Sequence, residues 1–269
     1  MMPTLDFSLV QTTLFWENKQ ENINMLSQNL MRLNEKSHVI VLPEMFTTGF
    51  SMNPSTFAEN MNGDTLMWMR DMAKEKKSII TGSIIIQEEN NDQKAFYNRL
   101  IWMQPDGKFS HYDKRHLFGY ASEDSHYTAG HKRVIFSVGG WKILPLICYD
   151  LRFPVWSRQQ SNHAIPEYDV LLYVANWPAK RSHAWRTLLM ARAIENQCYV
   201  VAVNRTGYDG HHIAHSGNSM VIDPQGEILF ESTDEAIIKT ISLSKIHLDN
   251  CRQQFPFLKD GDYFQLLND

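Results

Sequence analysis

Residues 141–154 read Trp-Lys-Ile-Leu-Pro-Leu-Ile-Cys-Tyr-Asp-Leu-Arg-Phe-Pro, an apolar run that ends at a cysteine. A short apolar run bounded by Gly139-Gly140 on one side and by polar residues on the other is typical of a buried strand. The pattern predicts a strand over 143–147 and places Cys148 at its end, where α/β folds present reacting groups. A buried cysteine is most often a small core hydrophobe, so the residues upstream of Cys148 are needed to judge whether it is reactive.

The segments on either side of this run alternate between strand-like and helix-like patterns. Apolar runs predict strands over 5–10, 38–42, 78–86, 169–175 and 198–203, and hairpins of 97–103 with 108–112 and of 220–223 with 227–230. Helical spacing predicts helices over 21–33, 64–77 (with Asp64 as its cap) and 182–197. The last thirty or so residues lack a regular pattern. Together the elements predict a layered α/β sandwich with mixed sheets.

Composition restricts the class of protein. The 269 residues contain no linker-like stretch, which favours a single domain over 1–269. The net charge is −4 without long blocks of like charge, so we expect no nucleic-acid surface and no membrane-binding stripe. Three widely spaced cysteines without a Cys-x-x-Cys pair argue against disulfides or a zinc site. The first residues lack the basic region of a signal peptide, and no apolar stretch approaches roughly 18 residues, so we expect no signal peptide, no membrane span and a soluble cytoplasmic protein.

Two charged residues upstream have chemistry that a cysteine can use. Glu44 follows the predicted strand 38–42 in apolar surroundings, where a partly desolvated carboxylate suits a general base. A loop glutamate that caps a helix or pairs with an arginine is the commoner case. Lys114 follows a hairpin and would on its own be read as a solvated loop residue. Beside a cysteine and a buried acid, its ammonium is expected to stabilise an oxyanion and to lower the pKa of the thiol.

Taken together, these three residues resemble the catalytic triad of the nitrilase superfamily, whose members hydrolyse carbon–nitrogen bonds. Six signatures occur in the expected order: Leu-Pro-Glu44, Asp-Lys114-Arg-His-Leu, Cys148-Tyr-Asp-Leu-Arg-Phe-Pro, Val-Ala-Asn176-Trp-Pro, Ala191-Arg-Ala-Ile-Glu-Asn-Gln and Ile222-Asp-Pro-Gln-Gly. One short motif is weak evidence, whereas six in order are specific. The resemblance covers about residues 5–245 and is strongest to the omega-amidase branch.

The resemblance implies a four-layer α-β-β-α sandwich with two mixed β-sheets that usually forms a homodimer or a higher homo-oligomer, with the tail 245–269 in the dimer contacts. It also implies a second glutamate between the lysine and the cysteine. Glu123 fits that position best, and Asp124 beside it is the alternative. No metal or organic cofactor is required, and the expected partner is a small-molecule amide. We interpret His211-His-Ile-Ala-His215 as a polar loop in preference to a metal site.

The mechanism that the resemblance implies is nucleophilic catalysis. Glu44 accepts the proton of Cys148, and the thiolate attacks the carbonyl of a short dicarboxylate monoamide such as 2-oxoglutaramate. The Lys114 ammonium and the backbone N–H of Tyr149 hold the oxyanion, while Glu123 orients Lys114. Ammonia departs, and water then hydrolyses the thioester.

Recognition of the far end of such a substrate needs a cation for its carboxylate. Lys180 and Arg181 follow a predicted strand end near the expected pocket, although both fit equally well as solvated loop charges. Trp177 and Phe118 are the expected pocket walls. The family pattern assigns Arg152 a structural role, in which it braces the turn through a carboxylate.

Two other functions stay open at this point. A hydrolase of nitriles or N-carbamoyl groups shares the same triad, so the triad does not separate it from an amidase. A non-catalytic protein that uses Cys148 as an oxidisable thiol is the alternative from another class.

Overall fold

Two six-stranded sheets form the centre of the computed structural model, which describes residues 2–90, 93–159 and 166–266. In chain order the strands are β1 (Thr4–Gln11), β2 (Val39–Val41), β3 (Ile79–Asn90), β4 (Gln93–Met103), β5 (Phe109–Asp113), β6 (Phe136–Val138), β7 (Trp141–Ile147), β8 (Val170–Ala175), β9 (Tyr199–Asn204), β10 (Thr206–Tyr208), β11 (Ala214–Ser216), β12 (Met220–Ile222), β13 (Ile228–Glu231) and β14 (Ile237–Ser244).

The helices of the described ranges are α1 (Lys19–Arg32), α2 (Pro54–Phe57), α3 (Asp64–Lys76), α4 (Glu123–His126), α5 (Pro154–Ser157), α6 (Ser182–Asn196) and α7 (Lys245–Gln254). Short 3₁₀ turns cover Gly119–Ala121, Cys148–Arg152, Ala179–Arg181 and Phe257–Asp260. Within the described part of the chain, no helix combines the length and the apolar character that crossing a bilayer requires.

Both sheets are mixed. The first has the order β14-β1-β2-β3-β4-β5, and the second has the order β13-β12-β9-β8-β7-β6. In each sheet three successive strands are parallel, β1-β2-β3 in the first and β7-β8-β9 in the second, and antiparallel strands flank them. The carboxyl ends of the parallel strands are where such sheets carry their sites.

Apolar side chains join the two sheets face to face. Phe7 and Val41 of the first sheet and Leu146 and Val201 of the second are fully buried in one continuous core. A second core lies between the first sheet and the helices α1 and α3, and α6 packs on the second sheet through Leu189 and its neighbours. Each large apolar side chain buried in this way contributes about 1.5–3 kcal/mol. The predicted four-layer α-β-β-α sandwich is therefore confirmed.

The strands and helices predicted from the sequence are present, with bounds that differ by a few residues, but the predicted cap of α3 was wrong. Asp64 does not cap α3, because it is the first helical residue and Gly63 occupies the cap position. The carboxylate of Glu59 instead accepts a hydrogen bond of 2.9 Å from the backbone N–H of Thr65. This contact comes from outside the helix, so a pattern within the helix could not show it.

The region after residue 236 is more regular than predicted. β14 pairs with β1 along eight positions, from Thr4 opposite Ser244 to Gln11 opposite Ile237, and α7 follows at once. Half of β14 is polar, and its partner lies more than two hundred positions away in sequence. A local pattern therefore could not reveal this strand.

Gly82 offers a test of the packing that supports the site. A Cβ atom added to Gly82 would lie 2.8 Å from the Cβ of Leu42 and 2.9 Å from Cδ1 of Phe46, on the segment that carries Glu44. Overpacking of this kind costs about 1–3 kcal/mol, so we expect Gly82→Ala to lower the free energy of unfolding by that amount in a urea titration. Gly261→Ala is the matched control, because its nearest neighbour would be 3.4 Å away. Equal stability of the two variants would contradict the close packing at Gly82.

Candidate active site

Four polar residues follow strand ends and meet at one edge of the sandwich. Glu44 comes shortly after β2, Lys114 directly after β5, Cys148 directly after β7 and Asn176 directly after β8. The backbone N–H of Asn176 donates to Oε2 of Glu44 at 2.8 Å, and its side-chain Nδ2 donates to the backbone carbonyl of Glu44 at 2.6 Å. These two bonds connect the two sheets at the site.

An ammonium group lies between two carboxylates in the floor of this site. Nζ of Lys114 donates to Oε1 of Glu44 at 2.9 Å and to both carboxylate oxygens of Glu123, at 3.0 and 2.9 Å. All three side chains are fully buried. Burial lowers the pKa of the Lys114 ammonium, but Glu123 and Glu44 outweigh it and the net shift is upward. Lys114 is therefore charged at neutral pH.

The structure places Glu123, and not Asp124, beside the lysine. Asp124 is exposed, whereas Glu123 is fully buried and also accepts a hydrogen bond of 2.6 Å from the backbone N–H of Phe118. Burial raises the pKa of the Glu123 carboxyl, and the Lys114 ammonium opposes that shift. The geometry thus favours the residue that we preferred from the sequence.

Asn98 also belongs to this cluster, although it was not predicted from the sequence. Its Nδ2 donates to Oε1 of Glu44 at 2.8 Å and to Oε1 of Glu123 at 3.3 Å. Its backbone carbonyl accepts from the N–H of Lys114 at 3.0 Å. A signal was present in β4, because Asn98 and Leu100 are two residues apart in the strand. Their side chains therefore lie on the same, core-facing side. An amide on the buried face of a strand indicates a polar partner inside the protein.

Cys148 begins the 3₁₀ turn after β7 with a φ of +44°, in the left-handed region that non-glycine residues rarely adopt. Burial raises the pKa of its thiol well above the ordinary value, and the Glu44 carboxylate raises it further. Lys114 lowers the pKa, as expected from the sequence, but burial and Glu44 outweigh it and the net shift is upward. The thiol is protonated at neutral pH, and its activation requires a base.

A cavity of about 540 Å³ opens above the thiol. Phe118 packs edge-on against Tyr149 with a centroid distance of 4.9 Å, and the Arg181 guanidinium lies 5.3 Å from the centroid of the Phe118 ring. Nε1 of Trp177 donates to the backbone carbonyl of Arg181 at 2.8 Å. The structure therefore brings all four residues that were predicted for substrate binding to the cavity, which they line together with Cys148, Lys114 and Lys180.

Arg152 differs from its expected role. It is exposed at the end of the 3₁₀ turn, lines the cavity, and forms no ion pair with any carboxylate of the described residues. Its guanidinium lies 5.0 Å from the ring centroid of Trp177. The carboxylate that braces this turn is Asp150, which accepts a hydrogen bond of 3.0 Å from the backbone N–H of Ile147.

The histidine-rich segment 211–215 borders the same cavity, a position that its local sequence did not reveal. It lies in the connection between β10 and β11 and includes the first two residues of β11. The ring of His211 packs edge-on against Trp16 at 5.2 Å. Burial, with the nearby Arg205, lowers the pKa of His215 to about 4, and its Nδ1 lies 3.1 Å from the carbonyl of Ile213. His215 is consequently neutral at pH 7 and forms part of the cavity wall.

The raised pKa of Cys148 gives a test with a defined sign. Thiolate forms only as the pH rises through the raised pKa, so we expect alkylation of Cys148 by iodoacetamide to reach half its limiting rate at a higher pH than for free cysteine, whose pKa is about 8.5. Glu44→Gln removes a neighbouring negative charge and should move this midpoint to lower pH.

Mass spectrometry of the Cys148 peptide measures the alkylation rate. Glu75→Gln is the control, because Glu75 is an exposed residue of α3 and does not line the cavity. A midpoint that rises in Glu44→Gln would contradict the assigned electrostatics.

Comparison with known proteins agrees with this geometry. The family model described as carbon-nitrogen hydrolase matches residues 7–253. Omega-amidase YafV of Escherichia coli K12 is 44% identical over 268 residues, which cover 98% of this chain and 100% of the relative. The 2-oxoglutaramate amidase of Bacillus subtilis 168 is 32% identical over 256 residues, which cover 94% of this chain and 96% of that enzyme.

A solved structure shows the same fold. XC1258 of Xanthomonas campestris, a CN-hydrolase superfamily protein with an arsenic adduct in its active site, superposes with a TM-score of 0.94 at 41% identity. The match covers 98% of this chain and 100% of that protein. The resemblance seen in the six sequence signatures is confirmed.

Proposed function

Because the chain belongs to the carbon–nitrogen hydrolase family, we propose that it is an omega-amidase. Its substrates are short dicarboxylate monoamides of the 2-oxoglutaramate and 2-oxosuccinamate type, which it hydrolyses to the dicarboxylate and ammonia. The observation that carries this proposal is the buried Glu44–Lys114–Glu123 cluster beneath the Cys148 thiol, at the floor of a cavity that is also lined by two guanidinium groups without an ion pair among the described residues. The sequence similarity to two named amidases supports the same reaction class.

The first half of the reaction forms a thioester. Glu44 accepts the thiol proton as Sγ of Cys148 bonds to the amide carbon, and the carbonyl oxygen becomes an oxyanion. Lys114 and the backbone N–H of Tyr149 stabilise that charge, and the loss of one such donor typically costs on the order of a hundredfold or more in rate. Glu44 then gives its proton to the amide nitrogen, the carbon–nitrogen bond breaks, and ammonia leaves.

The second half regenerates the thiol. Glu44 removes a proton from a water molecule that attacks the thioester carbonyl, and the oxyanion forms at the same donors. When the carbon–sulfur bond breaks, Glu44 returns the proton to Sγ of Cys148 and the carboxylic acid departs. Glu123 takes no proton in this scheme. It holds Lys114 in place through two hydrogen bonds.

The cavity wall provides the selection of substrate. Phe118 and Trp177 enclose the carbon chain, and Arg181 binds the far carboxylate. Arg181 suits this role because its guanidinium is already held over the Phe118 ring, so little side-chain entropy is lost on binding. Lys180 lies exposed at the same wall and is the second candidate.

Cys148→Ala tests the nucleophile. We expect it to abolish ammonia release, since no other group in the scheme can form the thioester, while the fold is retained. Cys251→Ala is the matched control and should keep the wild-type rate, because Cys251 lies on α7, which the scheme does not use. An acyl adduct on Cys148, detected by mass spectrometry after rapid quenching, identifies the intermediate. Ammonia release by Cys148→Ala would overturn the mechanism.

A panel of substrates separates the proposal from its alternatives. We expect turnover of 2-oxoglutaramate and succinamate with release of ammonia. Turnover of simple nitriles or N-carbamoyl amino acids, with none of the monoamides, would establish another branch of the family. No turnover of any compound, together with reversible oxidation of Cys148, would favour a thiol-based binding or redox protein.

Arg181→Met tests the recognition of the carboxylate. Loss of a charge-assisted hydrogen bond costs about 1.5–3 kcal/mol, so we expect KM for succinamate to rise roughly tenfold or more. KM for the neutral analogue butyramide should not change. Arg186→Met is the control, because Arg186 is an exposed residue of α6 that pairs with Glu231 and does not line the cavity. An unchanged KM for succinamate in Arg181→Met, with a raised KM in Lys180→Met, would transfer the role to Lys180.

The oligomeric state of the protein and its location in the cell are also proposals. We propose a homodimer or higher homo-oligomer with residues 245–269 in its contacts and a cytoplasmic location, on the family resemblance alone. Sedimentation of the full chain and of a chain that ends at residue 254 tests the contribution of the tail to assembly.

A further inference from the structure

Asp150 is a fully buried carboxylate two residues after the nucleophile, and the scheme above gives it no part. Four donors surround its two oxygens. Oδ1 accepts from the backbone N–H of His116 at 3.0 Å and lies 2.8 Å from Nδ1 of the same residue. Oδ2 accepts from the hydroxyl of Tyr112 at 2.8 Å and from the backbone N–H of Ile147 at 3.0 Å. Since a carboxylate only accepts, the Nδ1 atom of His116 carries the proton in this pair.

One of these contacts fixes the turn that carries the nucleophile. Ile147 directly precedes Cys148, and its N–H donates a hydrogen bond to Asp150. This bond links the residue before the 3₁₀ turn to a residue within the turn. Cys148 needs such support because its φ of +44° costs on the order of 1–3 kcal/mol in a non-glycine residue. A conformation of this kind persists only where the surroundings determine it.

The other contacts reach the loop that carries the lysine. Tyr112 and His116 lie two residues before and two residues after Lys114, so Asp150 holds that loop on both sides of the ammonium. Burial and the Asp150 carboxylate hold the pKa of Tyr112 well above its usual value, so its hydroxyl stays protonated and donates.

Two aromatic contacts complete this connection between the loop and the turn. Nε1 of Trp156 donates to the Tyr112 hydroxyl at 3.0 Å. The ring of His116 stacks on Phe153 with a centroid distance of 3.8 Å. Asp150 thus lies at the centre of a packed junction and not at a free surface.

We propose that Asp150 is a positioning residue for the reaction: it locks the turn of Cys148 to the loop of Lys114 and so fixes the nucleophile relative to its oxyanion partner. The inference rests on the proposed function for the roles of those two residues. Asp150 takes up no proton and touches no reacting atom. Its effect on rate is geometric, and misplacement of a reacting group by about 1 Å can cost a hundredfold.

Asp150→Asn is the direct test. It replaces one acceptor oxygen by an NH₂ group of the same size. Whichever oxygen is replaced, the NH₂ group faces N–H or O–H donors and cannot accept from them. We expect kcat for succinamate to fall by about a hundredfold, with a smaller change in KM. A loosened turn also admits water to the thiol, so the pH midpoint of Cys148 alkylation should fall towards the ordinary thiol pKa of about 8.5.

Asp169→Asn is the matched control. Asp169 is also a buried aspartate that accepts from a backbone N–H, that of Lys142 at 3.1 Å, and it binds Lys245 and Arg252 at the opposite end of β8. We expect it to lower the melting temperature while leaving kcat and the alkylation midpoint unchanged. Equal losses of kcat in the two variants, or a wild-type kcat in Asp150→Asn, would overturn the proposal.

A second pair of variants keeps the charge of Asp150 in place. His116→Asn presents an amide N–H near the position of Nδ1 and should retain kcat within about threefold, whereas His116→Ala removes that donor and should lose at least tenfold. The pair decides the question if Asp150→Asn does not fold, because equal kcat values in His116→Asn and His116→Ala would then refute the proposal.

The outcomes distinguish this inference from the proposed function. If the wild-type protein releases no ammonia from any amide, the proposed function fails, and the alkylation midpoints still report whether Asp150 positions the thiol. If the wild-type protein is active and all Asp150 and His116 variants match it in both readouts, only the positioning role is refuted.

Discussion

The buried ammonium of Lys114 is the constraint on which the site depends. An unpaired charge inside a protein is very costly, and here two carboxylates at 2.9 Å offset that cost. The two carboxylates in turn need further donors, which Asn98 and the backbone N–H groups of Asn176 and Phe118 provide. These donors come from β4, from the end of β8 and from the loop before α4. One enclosed cation therefore requires both sheets and two loops to meet at a single point.

The sandwich meets this requirement through two halves with the same strand order. From β6 to β13 the second sheet repeats the pairing pattern that runs from β14 to β5 in the first, with three parallel strands flanked by antiparallel ones. In this correspondence β2 is equivalent to β8, so Glu44 and Asn176 follow equivalent strands, and they form the two hydrogen bonds that join the sheets. Cys148 follows β7, the equivalent of β1. The repeat is one of topology, and the sequence shows no corresponding internal repeat.

The sequence predicted the parts of the site that directly follow apolar runs, because the end of such a run marks the end of a strand. Glu44 and Cys148 were found in this way, whereas Lys114 follows a hairpin and was recognised only together with them, and the family resemblance added Glu123. Asn98 was missed because it lies inside a strand, where its only signal is an amide on an apolar face. β14 was missed because its pairing with β1 is a long-range property. The sequence indicated that Lys114 lowers the pKa of Cys148 but not that burial and Glu44 outweigh this effect, because desolvation depends on the depth of the thiol, which no spacing reveals.

The distribution of charge in the cavity suits the proposed substrates, which carry an amide at one end and a carboxylate at the other. One ammonium and two carboxylates give the floor a formal charge of −1, which disfavours an anionic group beside the thiol. Among the described residues that line the cavity, Arg152, Lys180 and Arg181 have no carboxylate in an ion pair, and two of them are held over the rings of Trp177 and Phe118. For a substrate of the proposed kind, this distribution favours the neutral amide at Cys148 and the carboxylate at the arginine-bearing wall. Under the proposed function, the same arrangement favours release after hydrolysis, because the product gains a second carboxylate at the negatively charged floor.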